Sequence, residues 1–259
     1  MDMKTSTCPS TTRAGQGAGF LIVNADDWGR DRETSDRMFE CVLRGTVSSV
    51  SAMVFMTDSD RAAGVARERG IDAGLHLNLS LPFSAPECPS GLRERQRQVA
   101  AYLLKHPLAR AAFYPGLVRS FEYVVKAQFD EFQRLYDTAP ERIDGHHHLH
   151  LCANVLLARL LPPGTIVRRN FSFQPGEKSL MNRLYRKAVD YRLARRHRLT
   201  DYFFSLVPLD PFTRLENIVS LAHLFVVEVE THPVRSEEYS LLMGEEFLQM
   251  IRNVRTPFS

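Results

Sequence analysis

Apolar positions along the chain alternate between two rhythms. Phe20 to Ala25 is a short, nearly continuous apolar run, which predicts a strand buried on both faces that closes on Asp26-Asp27. Arg32 to Arg44 then carries Met38, Cys41 and Val42 at helical spacing, with Gly45 behind them as a stop, which predicts a helix. Ser49 to Phe55 predicts a second strand, Asp60 to Arg69 a helix stopped by Gly70, and Ile71 to Leu79 a third strand. Pro82 to Gly91 reads as a loop, followed by helices over Leu92 to Leu104 and Phe113 to Tyr136. Glu141 to Asp144 predicts a short fourth strand, Val155 to Leu161 a helix, and Thr165 to Arg168 a fifth strand. Lys178 to Arg198 reads as a long basic helix, Leu224 to Glu230 as a late strand, and Ser236 to Val254 as a last helix opened by Ser-x-Glu.

Strand and helix alternate throughout, so the expected fold is α/β with a mostly parallel sheet. The number of units suits a barrel formed as one domain over residues 20–259 better than two domains. Residues 1–19, polar and rich in Ser, Thr and Gly, read as a loose leader.

Composition narrows the class. At 259 residues with 44% hydrophobic and 24% charged content, the chain is globular and neither disordered nor fibrous. The longest apolar windows fall short of 18 residues, which argues against a membrane span. The cysteines, Cys8, Cys41, Cys88 and Cys152, form no C-x-x-C pair, so they read as reduced thiols in a cytoplasmic protein. A net charge of +3 gives no global field that demands a polyanion.

The chemistry-bearing residues fall where such folds place their sites, at the carboxyl ends of strands. Asp26 and Asp27 close the first strand, His76 lies toward the end of the third, and Asp144 with His146, His147, His148 and His150 closes the fourth; His232 follows the late strand. Taken singly, an Asp after a strand serves as a helix cap, and an apolar-strand His is a satisfied core group. Together they predict a metal site. Two imidazoles and a carboxylate make an open catalytic site for a divalent hydrolytic ion, among Zn2+, Mg2+, Mn2+ and Co2+. One of the paired aspartates would hold the ion while its neighbour accepts a proton from water, and His232 would protonate a leaving amine. The chain has no G-x-x-x-x-G-K-[ST] loop, no H-E-x-x-H and no G-x-S-x-G elbow.

Three separated motifs, Leu21 to Gly29 (LIVNADDWG), Gly74-Leu75-His76-Leu77 and Asp144 to His150 (DGHHHLH), resemble in order and spacing those of the YdjC/ChbG family of carbohydrate deacetylases. The resemblance implies a distorted TIM-like (β/α) barrel, a divalent metal, and removal of acetyl from an N-acetylated sugar of the N-acetylglucosamine type. It further implies that Asp27, His76 and His146 hold the metal and that Asp26 is the base. His147, His148 and His150 then orient ligands or touch substrate, and Arg168 is a candidate substrate contact or else a salt bridge. His232 in Thr231-His232-Pro233 is the candidate acid. The chain departs from the family pattern at Val234, Trp28 and Gly145, where Gly, Phe and Ser are usual.

Competing readings remain. His and Asp ligands also serve a phosphoesterase or a hydrolase of another amide. The run Arg183 to Arg198 holds seven cations against Asp190, which suits an outer face or a homo-oligomer contact, or else nucleic acid or anionic lipid. The leading expectation is a sugar substrate, with no nucleic-acid partner.

Overall fold

A computed structural model describes residues 19–105, 107–173 and 179–256. The strands are β1 (Phe20–Trp28), β2 (Ser49–Ala52), β3 (Ala73–Leu77), β4 (Arg142–Gly145), β5 (Ile166–Val167), β6 (Tyr202–Ser205) and β7 (Val226–Thr231). They form one parallel sheet in the order β5-β4-β3-β2-β1-β7-β6. The helices are α1 (Arg32–Arg44), α2 (Ser59–Arg69), α3 (Ser90–Lys105), α4 (Val118–Tyr136), α5 (Ala153–Leu157), α6 (Leu180–Ala194), α7 (Thr213–Leu221), α8 (Ser236–Met243) and α9 (Glu245–Ile251).

The sheet is curled into a half-barrel. Five inter-strand steps separate β5 from β7, a span of roughly 24 Å in a flat sheet. Yet Arg168, just past β5, places its Nε 2.7 Å from Glu228 Oε1 on β7. Beyond β5 the chain leans onto the far edge, where Ser172 N donates to the Phe203 carbonyl of β6 at 2.7 Å. The expected α/β TIM-like barrel is therefore present, with its last seam bridged by this segment instead of by a strand pair.

Side-chain alternation decides what the barrel encloses. Leu21, Val23 and Ala25 of β1 and Val227 and Val229 of β7 point outward into an apolar layer shared with Met38, Ala62 and Phe132 of the helices. The register then places Asn24 beside Ser49 and Glu230, Asp26 beside Ser51, and His76 beside Asp144 on the inner face. The reading of β1 as buried on both faces holds, but its inner face turns polar at Asn24 and Asp26.

Local chemistry sets the element ends. Asp31 caps α1 by accepting from Thr34 N at 2.9 Å, and Gly45 closes it at φ 80°. The single last helix expected over 236–254 divides at Gly244, whose ψ of 152° is extended. Two elements went unread: β6, a four-residue strand, and α7, which follows the proline-rich segment 208–211. The leader expected over 1–19 lies outside the described residues except for Gly19, which packs so close to the Phe225 backbone that a Cβ would sit 2.3 Å from its nitrogen. Among the described residues no helix is long and apolar enough to cross a membrane.

Candidate metal centre and active site

The site is built on an irregularity in β1. Asp26 pairs with Ser51 and Trp28 with Ala52, so Asp27 is an extra residue on one strand, a β-bulge, with φ 77°. In a regular strand neighbouring side chains point to opposite faces. The bulge re-aims Asp27, so that both aspartates serve the same end of the barrel. Beyond it Arg30 donates from Nη1 to Asp27 Oδ2 at 2.8 Å and from Nε to Asp31 Oδ2 at 2.9 Å, tying the bulge to the cap of α1.

The other oxygen of Asp27 faces two imidazoles. His146 Nδ1 is 3.1 Å and His76 Nε2 3.3 Å from Asp27 Oδ1, and these three residues can each offer a ligand atom within 4.8 Å of the others. His76 is 1% exposed and its Nε2 has no hydrogen-bond partner. Its Nδ1 lies 2.7 Å from Asp144 Oδ1, which fixes the proton on Nδ1 and leaves the Nε2 lone pair aimed at the Asp27 carboxylate. Two acceptors facing each other in a dry site call for a cation between them, and a carboxylate behind a histidine is the usual support of a metal-ligating ring. The donor set of two imidazoles and one carboxylate fits a divalent ion.

The charges agree with that fit. Burial raises the Asp27 carboxyl, but the His146 and His76 rings beside it outweigh burial and hold Asp27 below the ordinary carboxylate range. Burial opposes charge on His76, yet the carboxylates of Asp26 and Asp144 prevail and favour a positive charge there, the charge that an ion at Nε2 would supply. Burial, reinforced by Asp26, pushes Glu230 well above the ordinary glutamate value.

Beside this triad, Arg168 gathers the remaining carboxylates. Its Nη1 and Nη2 grip Asp26 at 2.6 and 2.8 Å, Nη2 also reaches Asp144 at 2.7 Å, Nε donates to Glu228 at 2.7 Å, and Nη1 lies 3.3 Å from Glu230. Asn24 Nδ2 adds a bond to Asp26 Oδ1 at 2.8 Å. Asp26 is thus held by three donors on its inner side.

The residues singled out from the sequence take three positions, at the centre, at the rim and behind the site. Asp26, Asp27, His76, His146 and His232 converge, with a ring nitrogen of His232 within 4.8 Å of carboxylate oxygens of Asp26 and Glu230. The His232 backbone N–H donates to Glu238 Oε2 of α8 at 2.8 Å, which fixes the start of the loop that carries Val234. His148 stands at the rim, its Nε2 3.5 Å from Glu230 and its ring 4.7 Å from that of Phe171. His150 and Arg168 lie behind the site. His150 is fully buried and pairs through Nε2 with the Arg168 carbonyl at 2.9 Å, while Arg168 is 1% exposed with its guanidinium committed to carboxylates. Neither is placed to touch a substrate.

His147 and His148 both have φ 55°, a left-handed turn that costs non-glycine residues energy and fans the cluster apart. His147 Nδ1 reaches Ser80 Oγ at 3.3 Å, His146 turns to Asp27, and His150 turns to the core. Gly145 allows this, because a Cβ there would sit 3.0 Å from the Leu77 carbonyl and 3.1 Å from His150 Cβ.

The sequence places Asp144 at the strand-end rim without giving it a role, and Asn24, Ser51, Glu228 and Glu230 are further members of the site that the sequence reading does not name. The available signal was the period-two recurrence of polar residues in otherwise apolar strands: Asn24 and Asp26, Ser49 and Ser51, Glu228 and Glu230.

A family model described as YdjC-like protein matches residues 20–253. A carbohydrate deacetylase of Mus musculus is 33% identical over 144 residues, covering 52% of this chain and 44% of that protein. A chitooligosaccharide deacetylase of Proteus mirabilis (strain HI4320) is 30% identical over 135 residues, covering 52% and 51%. The chain thus spans about half the length of the relatives it matches. A solved structure of an Enterococcus faecalis V583 protein named for cellobiose-phosphate cleavage shares the fold, with a TM-score of 0.62 at 18% identity, over 91% of this chain and 95% of that one.

Proposed function

We propose, from the premise that this chain belongs to the YdjC-like family, that it is a metal-dependent carbohydrate deacetylase, a hydrolase of the acetamide of an N-acetylated sugar. One observation carries the reading: Asp27, His76 and His146 converge, with the buried Nε2 of His76 left without a hydrogen bond. The deacetylase names of the relatives supply the substrate class.

In this reading Asp27, His76 and His146 hold one divalent ion. When bound, the ion supplies Lewis acidity to the amide carbonyl and to the attacking water. Two imidazoles with one carboxylate suit Zn2+, Mn2+ or Co2+ better than Mg2+, which prefers oxygen ligands.

The chain's own residues divide the proton work. Asp26 accepts the proton of the attacking water, and Arg168 with Asn24 holds its carboxylate in one orientation, so that no rotamer freedom is spent in the reaction. Asp144 keeps His76 in the tautomer that presents Nε2. His232, beside Asp26, delivers a proton to the departing amine. His147 and His148, splayed to the rim, contact the sugar, and His150 with Arg168 positions the groups behind it.

The experiment is acetate release from free N-acetylglucosamine, chito-oligosaccharides and glycoconjugates, by protein stripped of metal and reloaded with each ion. Metal-dependent release from one of them is the expected result. A fully loaded protein that releases acetate from none of these substrates, yet hydrolyses a phosphoester or another amide, overturns the deacetylase reading.

A further inference from the structure

We propose that the outer face of α6, with the arginine-lined cleft at its C-terminal end, docks this protein on an anionic phospholipid bilayer. The inference does not depend on the deacetylase reading; it rests on a separate surface.

The helix presents both kinds of group that a membrane interface takes. Leu180, Met181, Leu184, Tyr185 and Tyr191 are all exposed, Met181 to 75% and Tyr191 to 70%. A helix whose large apolar residues face water ordinarily has something to cover them. Its inner side packs Val189 and Leu193 on the core and buries Asp190, which takes Arg169 on one oxygen and Asn170 on the other. The only carboxylate of the helix is therefore turned away from solvent.

The outward charge of α6 itself is one-signed, with exposed Asp201 across a shallow depression from Lys187. Among the described residues, no carboxylate lies within 4.0 Å of Arg183, Lys187, Arg192, Arg195 or Arg196. At the C-terminal end of the helix, Arg192, Arg195 and Arg196 join Arg159 around a cleft of about 480 Å³ whose lining contains no acidic residue. Leu157 of α5 stands exposed near Arg159. Four guanidinium groups without an acidic partner, beside exposed apolar side chains, form a site for a phosphate on an apolar support.

Charge alone would fit a nucleic acid equally well. The apolar groups decide between them: a phosphodiester backbone gains little from Leu180, Met181 and Leu184, whereas a bilayer interface accepts them below the headgroups and places tyrosines at headgroup level. Cations beside an anionic surface add about 1 kcal/mol each, enough in this number for reversible docking. The helix is about 22 Å long, enough to lie along a bilayer surface for about four turns.

The test is flotation of the full-length, metal-loaded protein with phosphatidylcholine vesicles, with and without about one-third phosphatidylglycerol. Expected is recovery with the anionic vesicles alone, abolished by salt of about 0.5 M. The triple variant Arg192→Glu/Arg195→Glu/Arg196→Glu should bind at least ~10-fold more weakly, and Leu184→Ser/Tyr191→Ser should weaken binding without altering its salt dependence. Circular dichroism and bound-metal content establish that each variant is folded; should the triple variant fail that check, Arg195→Gln alone must still weaken flotation. Equal binding by folded charge-reversed protein, no flotation of wild type at low salt, or tighter binding to duplex DNA or inorganic phosphate than to vesicles overturns the proposal. So does a dimer dispersed by Leu184→Ser/Tyr191→Ser in a protein that ignores vesicles.

Discussion

The Nδ1 atom of His76 sits 2.7 Å from Oδ1 of Asp144, and both side chains are buried. That contact fixes which imidazole nitrogen is left for a ligand, and it ties β3 to β4 at the height of the site. Asp144→Asn removes the charge while keeping the shape, and an Asn amide can leave His76 in the wrong tautomer. Metal affinity, measured by titration calorimetry on stripped protein, is expected to fall roughly 10- to 100-fold. An unchanged affinity would show that Asp144 merely balances Arg168.

Arg168 compensates four buried carboxylates at once. Replacing it by Met leaves them facing each other in a dry interior, and a cost of about 3–5 kcal/mol in urea unfolding is expected. Adding Glu228→Gln removes one of the orphaned charges and should recover part of that loss. Arg168→Met costing less than about 1 kcal/mol would mean that the carboxylates escape the strain by taking up protons.

His150 offers a pH-dependent measure of the core behind the site. Burial, only partly offset by its bond to the Arg168 carbonyl, lowers its pKa from 6.5 to about 4. The unfolded chain therefore binds a proton there that the folded chain refuses. The stabilisation is complete above pH 6.5 and is lost as the pH falls toward 4, up to about 3 kcal/mol. His150→Gln, which keeps a donor for the carbonyl, should show a shallower fall in stability across that window. Equal slopes for wild type and variant would place His150 in water.

An ion held at Asp27, His76 and His146 binds the folded chain and not the unfolded one. At about 100 times its Kd it should add about 2.7 kcal/mol to unfolding stability, and a chelator should remove that increment. Asp27→Ala should unfold at the same point with or without the ion. A metal-induced shift that survives Asp27→Ala would move the ion to another cluster, such as Asp26, Glu230 and His232.

How far the sequence could be read follows from what each signal encodes. Helix α1 was legible to its ends, because Met38, Cys41, Gly45 and the caps are local signals. The meeting of Asp27, His76 and His146 could be anticipated because each sits in a compact motif at a strand end. The bulge at Asp27 was not, since it is a register property of two strands far apart in sequence. Arg168 shows the same limit. Its meaning depends on curvature that brings β5 to β7, and position in the chain alone suggested an exposed rim where the fold provides a sealed core. Strand β6 has four residues and its pairing partner lies some 25 positions away, too little local pattern to declare itself.

The division of labour between adjacent aspartates is the centre of this account, and one comparison tests it most directly. Acetate release from an N-acetylated sugar is measured for wild type and Asp26→Asn at equal, independently determined metal occupancy. The account predicts full occupancy in both and a turnover lower by roughly 10²- to 10⁴-fold in the variant. An Asp26→Asn protein that retains wild-type turnover, or one that loses its metal, contradicts the assignment of Asp26 as base and Asp27 as ligand.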